Sequence, residues 1–227
     1  MVSRFGKPAL VEMWDERFFY FVLKWEFNFI DNLDKASALS TDQIDIENAK
    51  RYGISYIDEK GESKTPLILH CSPSGAIERD LYAMLEKAYM EQKNGRAPML
   101  PLWLSPIQVR IIPVTDQFFA EAEKIAKRIS SHNIRVDWDD RSLTMQRKIR
   151  EAEMEWIPYT VVIGQREIES EVLSVRDRRV SGAKRGGEIR KMRLEELVAE
   201  IKERTKGKPF KHLSLPMRLS RRPRFYG

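Results

Sequence analysis

From Ile107 onward the chain settles into a rhythm that few folds can satisfy: an apolar run of strand length, a short link, a helical stretch, and the same again. IQVRIIPV reads as a strand, 116–131 as a helix, IRVDW as a strand, 142–155 as a helix, YTVVIG and EVLSVRDRR as two strands in succession, and LEELVAEIKER as a helix. In the first of these helices Phe118, Phe119, Ala122, Ile125, Ala126 and Ile129 recur three and four apart, the spacing of a single buried face. Strands alternating with helices over short links require right-handed crossovers and a largely parallel sheet. The two successive strands add an antiparallel neighbour near Val172.

Upstream the pattern differs. RFFYFVLKWEFNFID, SALSTDQIDI and SYIDEKGESKTPLIL read as strands of an antiparallel sheet, with EKGE as a hairpin turn. A helix follows from Ala76 to Glu91, with Ile77, Leu81, Met84, Leu85 and Ala88 on one face. The prolines and short apolar pieces of LPLWLSPIQVRII mark the junction, giving domains at 1–103 and 104–227. The expected class is α/β, α+β overall: an antiparallel sheet, then a mixed-sheet α/β/α domain closed by the basic, extended tail KPFKHLSLPMRLSRRPRFYG.

A hydrophobic content of 42% is enough for a core, and a single cysteine excludes a disulfide framework. No leader pattern opens the chain and no apolar run is long enough to cross a bilayer, so a cytoplasmic protein without a membrane partner is expected. The charge is unevenly spread. Residues 176–227 hold 17 Lys/Arg against 6 Asp/Glu (+11), leaving 23 against 28 (−5) for residues 1–175. Such an excess fits a polyanion partner, and equally a solvated helix face with a basic tail.

The stretch LHCSPSGAIERDLY gathers a histidine, the lone cysteine, a turn and a Glu-Arg pair that reads as buried. A Cys71 nucleophile with His70 as base is disfavoured, because adjacent strand residues point to opposite faces. Cys71 is expected only to fill space. A complete zinc site is disfavoured too, since the histidines stand at 70, 132 and 212 with no paired-cysteine or His-Glu-x-x-His spacing. What remains is a strand ending at His70, a tight turn and a helix carrying Arg79 in its first turn. A cation there opposes the helix dipole, so it faces either an anionic ligand or a surface carboxylate such as Glu78.

The segment ILHCSPSGAIERDLY resembles motif 3 of the class II aminoacyl-tRNA synthetases, in the form found in archaeal threonyl-tRNA synthetases. KWEFNFIDNLDKASALSTDQIDI, PLWLSPIQVRIIPV and YTVVIGQREIESEVLSVRDRR extend the resemblance over most of the chain in the same order. The resemblance implies part of a class II catalytic sheet joined to an anticodon-binding domain, and a threonine–tRNA ligase that uses ATP, Mg and zinc and assembles as a homodimer when complete. It implies that Arg79 stacks on adenine and meets the γ-phosphate, and that His70 is one ligand of a zinc ion holding threonine. It places Gln43 near the substrate and the tRNA end. Lys24 would meet phosphate charge, although Val22-Leu23 stand where the bacterial pattern has Gly-Pro. Asp45, two residues beyond Gln43, shares its strand face and suits a supporting role.

In the second domain the resemblance assigns anticodon recognition to Glu169 and Arg178, with Arg176, Arg179 and Lys184 adding sequence-independent charge. Read from the residues alone, the same stretch is a salt-bridged hairpin with Glu facing Arg across strands. Motifs 1 and 2 and two further zinc ligands are not visible before Lys24. The chain is therefore expected to be a C-terminal portion, inactive alone. The alternative is a non-catalytic tRNA-binding module of a split or editing-dedicated paralogue.

Overall fold

A computed structural model describes residues 2–180 and 188–223. The chain forms two compact units, Met1–Ala83 and Met84–Gly227. Among the described residues no helix is long and apolar enough to cross a membrane.

The first unit opens with a one-turn helix α1 (Val2–Phe5), followed by β1 (Phe21–Ile30), β2 (Ala36–Asp45), a short α2 (Asn48–Arg51), the hairpin β3 (Tyr56–Ile57) and β4 (Ser63–Lys64), and β5 (Ile68–Ser72). Strands β1, β2 and β5 form an antiparallel sheet in that order. Asp31 shapes the β1–β2 turn by accepting the N–H groups of Leu33 at 2.8 Å and Lys35 at 2.9 Å. Helix α3 (Ile77–Lys93) follows, and the division between the units falls within it.

Helix α3 departs from expectation. Ile77, Leu81 and Leu85 are all at least half exposed, so the apolar face read from their spacing is not covered by the described residues. The sheet behaves similarly: its apolar row Leu23–Ile44–Leu69 leaves Leu23 60% and Leu69 73% exposed. Only Ala49 and Ala83 among this unit's described apolar side chains are buried.

The second unit continues with β6 (Val109–Pro113), α4 (Phe119–Ser130), β7 (Val136–Trp138), α5 (Met145–Met154), β8 (Tyr159–Ile163), α6 (Gln165–Ser170), β9 (Leu173–Asp177), β10 (Ile189–Met192) and α7 (Leu194–Arg204). The sheet runs β10-β9-β8-β6-β7. Strands β6, β7 and β8 are parallel, and β9 and β10 are antiparallel, so the mixed sheet expected near Val172 is present. The short α6 and the strand β10 were not legible in the sequence. Val109, Ile111, Val161 and Ile163 meet Ala122, Ala126 and Ile129 of α4 and Leu197 and Ile201 of α7 in the core. The tail lies extended along β7, with Trp138 N–H donating to Met217 O at 2.9 Å.

Charge inside this unit is mostly paired. Asp177 is buried and accepts from Arg179 at 2.6 Å and Arg190 at 3.0 Å. Glu200 accepts from Arg190 at 2.8 Å, Arg179 at 2.6 Å and the Tyr159 hydroxyl at 2.7 Å. Arg190 does most to hold the Glu200 carboxyl down to about 2, against partial burial; burial, then Glu200 itself, pushes the Tyr159 hydroxyl up to about 12. A carboxylate held below its ordinary value adds stability above that ordinary value and loses it as pH falls toward the lowered one. The thermal midpoint of this unit is thus expected to fall between about pH 4.5 and 2, and to fall less steeply in Glu200→Gln. Calorimetry across that range checks this; parallel pH profiles would refute it.

Candidate functional site

The register of the first sheet settles where the expected site residues stand. Lys24 lies opposite Gln43, and Gln43 opposite His70. Directly opposed residues of an antiparallel sheet share a face, so three side chains from three separate segments form one cross-strand row. Glu26, Thr41 and Ser72 form the next row on that face. Lys24 is held by Glu26 at 2.6 Å, and this contact is the main cause that lowers the Glu26 carboxyl.

The row is braced by residues that sequence reasoning weighed lightly or missed. The Tyr20 hydroxyl donates to Gln43 Oε1 at 2.7 Å, and its ring centre lies 5.5 Å from that of His70. His70 Nε2 is 2.8 Å from Oδ2 of the fully buried Asp45. Asp45 also accepts the N–H groups of Asn48 and Glu47, each at 2.9 Å, and the Asn48 amide at 2.6 Å. Burial pushes the Asp45 carboxyl up, but the Asn48 N–H, His70, the Glu47 N–H and the Asn48 amide outweigh it and hold it well below the usual range. An ionised Asp45 can only accept a hydrogen bond, so this contact calls for the proton on His70 Nε2 and, in the neutral ring, leaves Nδ1 as the nitrogen with a free lone pair. A carboxylate orienting a histidine in this way is the usual support of a metal-bound imidazole. Among the described residues no three His, Cys, Asp or Glu side chains gather as a metal cluster, so His70 offers a single donor. The Asp45-x-x-Asn48 spacing is a turn signal that could have found Asn48; nothing in the aromatic run around Tyr20 singles that residue out.

Arg79 stands farther along the sheet. Its Nη1 donates to Ala38 O at 3.1 Å, and it borders an open cleft of about 410 Å³ with Ser37, Ala38, Glu78 and Tyr82. Ala38 pairs with Asn28, four residues beyond Lys24, or roughly 13 Å along the strand. Gly75 makes this placement possible: its φ is +67°, and a Cβ there would lie 1.9 Å from Leu39 O. Tyr82 adds a second tie by donating to Asp31 Oδ2 at 2.7 Å.

Two readings of this stretch need correction. Glu78 and Arg79 are exposed, and among the described residues they form no ion pair, so the Glu-Arg pair is not buried. Cys71 is exposed rather than a space filler; its thiol meets Asp42, whose hydrogen bond pushes it up. His70 does face away from Cys71, because each is paired with a different neighbour on β2, Gln43 and Asp42.

In the second unit Glu169 lies exposed on α6, where it accepts from Gln165 Nε2 at 2.6 Å. The neighbouring Glu167 is instead committed to the frame: it accepts the Gly164 N–H at 3.2 Å, the Ser174 hydroxyl at 2.6 Å and Lys191 at 3.2 Å. Arg178 follows β9 and is half-buried, donating from Nε to Pro98 O at 2.7 Å and from Nη1 to Glu153 O at 2.9 Å. The salt-bridged hairpin is absent, because α6 intervenes and Glu169 and Arg178 are not paired. Arg179 is tied to Asp177 and Glu200, which neutralises charge that had been read as free for a polyanion. Arg176 lies on β9, and Lys184 falls outside the described residues.

Residues 108–204, which take in this mixed sheet, the helices beside it and the short α6, match the anticodon binding domain family. The likeness extends to the whole chain: it is 57% identical over all 227 residues to threonine–tRNA ligase of Pyrococcus horikoshii, and 56% identical over 225 residues to that of Methanosarcina mazei. In each case it covers 35% of the relative, so the chain spans about a third of the length of the curated relatives it matches. The fold is shared with the RNA binding domain of threonyl-tRNA synthetase from Cryptosporidium parvum Iowa II, with a TM-score of 0.65 at 22% identity over 89% of this chain and 47% of that one.

Proposed function

We propose that this chain contributes part of the amino-acid and ATP site, together with the anticodon reader, of a threonine–tRNA ligase. The observation that carries this reading is the cross-strand row Lys24–Gln43–His70, braced by Tyr20 and Asp45. The row is polar and open, and Arg79 stands about four residues along the same sheet, a span over which an adenylate can lie. Arg79 would stack on adenine and meet phosphate. Lys24 would reach phosphate by exchanging its Glu26 partner for a ligand oxygen. His70 would hold zinc through Nδ1, with donors beyond this chain's described residues; such an ion, as a Lewis acid, selects a hydroxyl and so rejects valine. Mg would accompany ATP. The functional boundary we propose is 103/104, and the complete enzyme would be a homodimer in the cytoplasm.

Glu169 is suited to accept from base amino groups because it is exposed on a short helix whose frame is held by Glu167. Arg178 anchors the end of β9 through two backbone carbonyls, and its guanidinium would donate to a base edge or phosphate. Binding to tRNA transcripts with altered anticodons tests the reading. Glu169→Ala is expected to reduce discrimination between anticodons by about 1–3 kcal/mol while changing bulk affinity less. Arg178→Ala should lose both discrimination and thermal stability. If both variants lose affinity uniformly over all anticodons, the assignment of these residues is wrong.

A further inference from the structure

The second unit carries a cleft that the anticodon assignment does not use. It is open, about 410 Å³ in volume, and its wall includes Trp103, Arg135, Lys202, Lys206, Lys208 and Phe210. Four of its lining side chains are Lys or Arg and none is Asp or Glu, in a unit where Arg110, Arg141, Arg179, Arg190 and Arg218 are each paired with a carboxylate. Among the described residues Arg135 donates only to the carbonyls of Ser105 and Trp103, at 3.0 and 2.7 Å, and it lies over the Phe210 ring. Lys208 lies over the Trp103 ring. Neither Lys202 nor Lys208 forms an ion pair among the described residues, and Lys206 meets Glu203 only at 3.6 Å with both side chains largely exposed.

These cations have a simpler explanation to overcome. The carboxyl ends of α4 and α7 both reach this cleft, and basic side chains commonly neutralise helix ends. Two such ends bring roughly −1 in all, at about −0.5 each. Four cations exceed that, and Arg135 and Lys208 belong to neither helix. An uncompensated positive charge therefore remains in a groove floored by aromatic rings.

We infer that this cleft is a second RNA-contact surface, one that takes the phosphodiester backbone of the bound tRNA away from its anticodon. The inference rests on the tRNA-binding reading above. Its position supports this class of ligand: Gln108 and Arg135 precede β6 and β7, whereas Glu169 follows β8, so the two sites flank opposite ends of the same parallel strands. Five residues of strand, roughly 17 Å, separate those ends, a span that a folded RNA bridges and a free nucleotide does not. Backbone contacts hold register without reading sequence, and each neutralised phosphate steepens the salt dependence of binding by about one unit of log–log slope.

The test is the triple variant Lys202→Ala/Lys206→Ala/Lys208→Ala, whose three positions are exposed and not part of the core. Binding of threonine tRNA transcripts, with cognate and altered anticodons, is measured over a series of salt concentrations. The expected result is a loss of on the order of tenfold or more in affinity at low salt, equal for every anticodon, with the salt slope reduced by about 3. Retained affinity and an unchanged slope, in a protein whose wild type prefers the cognate anticodon, would overturn this inference and leave the anticodon reading standing. A wild type that binds no tRNA would overturn both.

Discussion

Replacing Arg110 by alanine is expected to lower the stability of the second unit by about 3–5 kcal/mol. Arg110 lies in β6, between β8 and β7, and is fully buried. It meets Asp137, its cross-strand partner on β7, with Nε and Nη2 both at 2.9 Å, and meets Glu155 with Nη1 at 2.9 Å and Nη2 at 2.7 Å. Asp137 is fully buried too, and its remaining cationic contact is Arg222 of the tail at 3.0 Å. Removing the guanidinium leaves a carboxylate inside the protein with one partner in place of two. The large term is that stranded charge rather than the worth of the pair. The double variant Arg110→Met/Asp137→Leu should accordingly recover part of the loss, because two apolar side chains need no partner, while Arg222 loses its carboxylate. Denaturant titrations of the two single variants and the double variant check this; a cost below about 1 kcal/mol for Arg110→Ala would refute it.

Gly75→Ala is the second change with a large expected effect, and it acts on the candidate site. The added methyl would sit 1.9 Å from a backbone oxygen of β2, at a φ of +67° that side chains rarely adopt. Backbone strain of this kind costs about 1–3 kcal/mol even without a clash. The carbonyl of Leu39 is backbone of β2 at the register shift, held between the paired residues Ala38 and Ser40, and is not the far end of a flexible side chain. The start of α3 must therefore move off the sheet, carrying Arg79 from Ala38 and Tyr82 from Asp31. Hydrogen exchange is expected to show α3 opening by about 2–3 kcal/mol more readily than in the wild type, with the sheet β6–β10 unchanged. Unaltered protection along α3 would show that the contact at Gly75 does not position the helix.

The elements of the second unit were largely legible because their periods are clean. Helix α7 occupies the LEELVAEIKER segment, and α4 buries Ala122, Ala126 and Ile129 as their spacing required. Helix α6 was not legible: six residues make too little amphipathic pattern, and what stops its first turn from fraying is Glu167 reaching back to the Gly164 N–H. Strand β10 is four residues of mixed charge, held only by pairing with β9. In the first unit the strands were legible, but the burial of Ile77, Leu81 and Leu85 was not. Spacing states which side chains share a face; it does not state whether anything covers that face.

Local pattern and motif order determined, without coordinates, most of the succession of strands and helices, the mixed sheet, the likeness to threonyl-tRNA synthetases, and Lys24, Gln43, His70 and Arg79 as residues of interest. Only the tertiary structure decided that Lys24, Gln43 and His70 stand in one row, that Tyr20 and Asp45 hold it, and that Arg178 is anchored on two backbone carbonyls. It also decided which cations are neutralised and which, around Lys208 and Arg135, are not. The physical reason is the same throughout. Periodicity and propensity act over a few neighbouring residues, whereas strand register, burial and charge pairing depend on segments that are distant in sequence and meet only once the chain has folded.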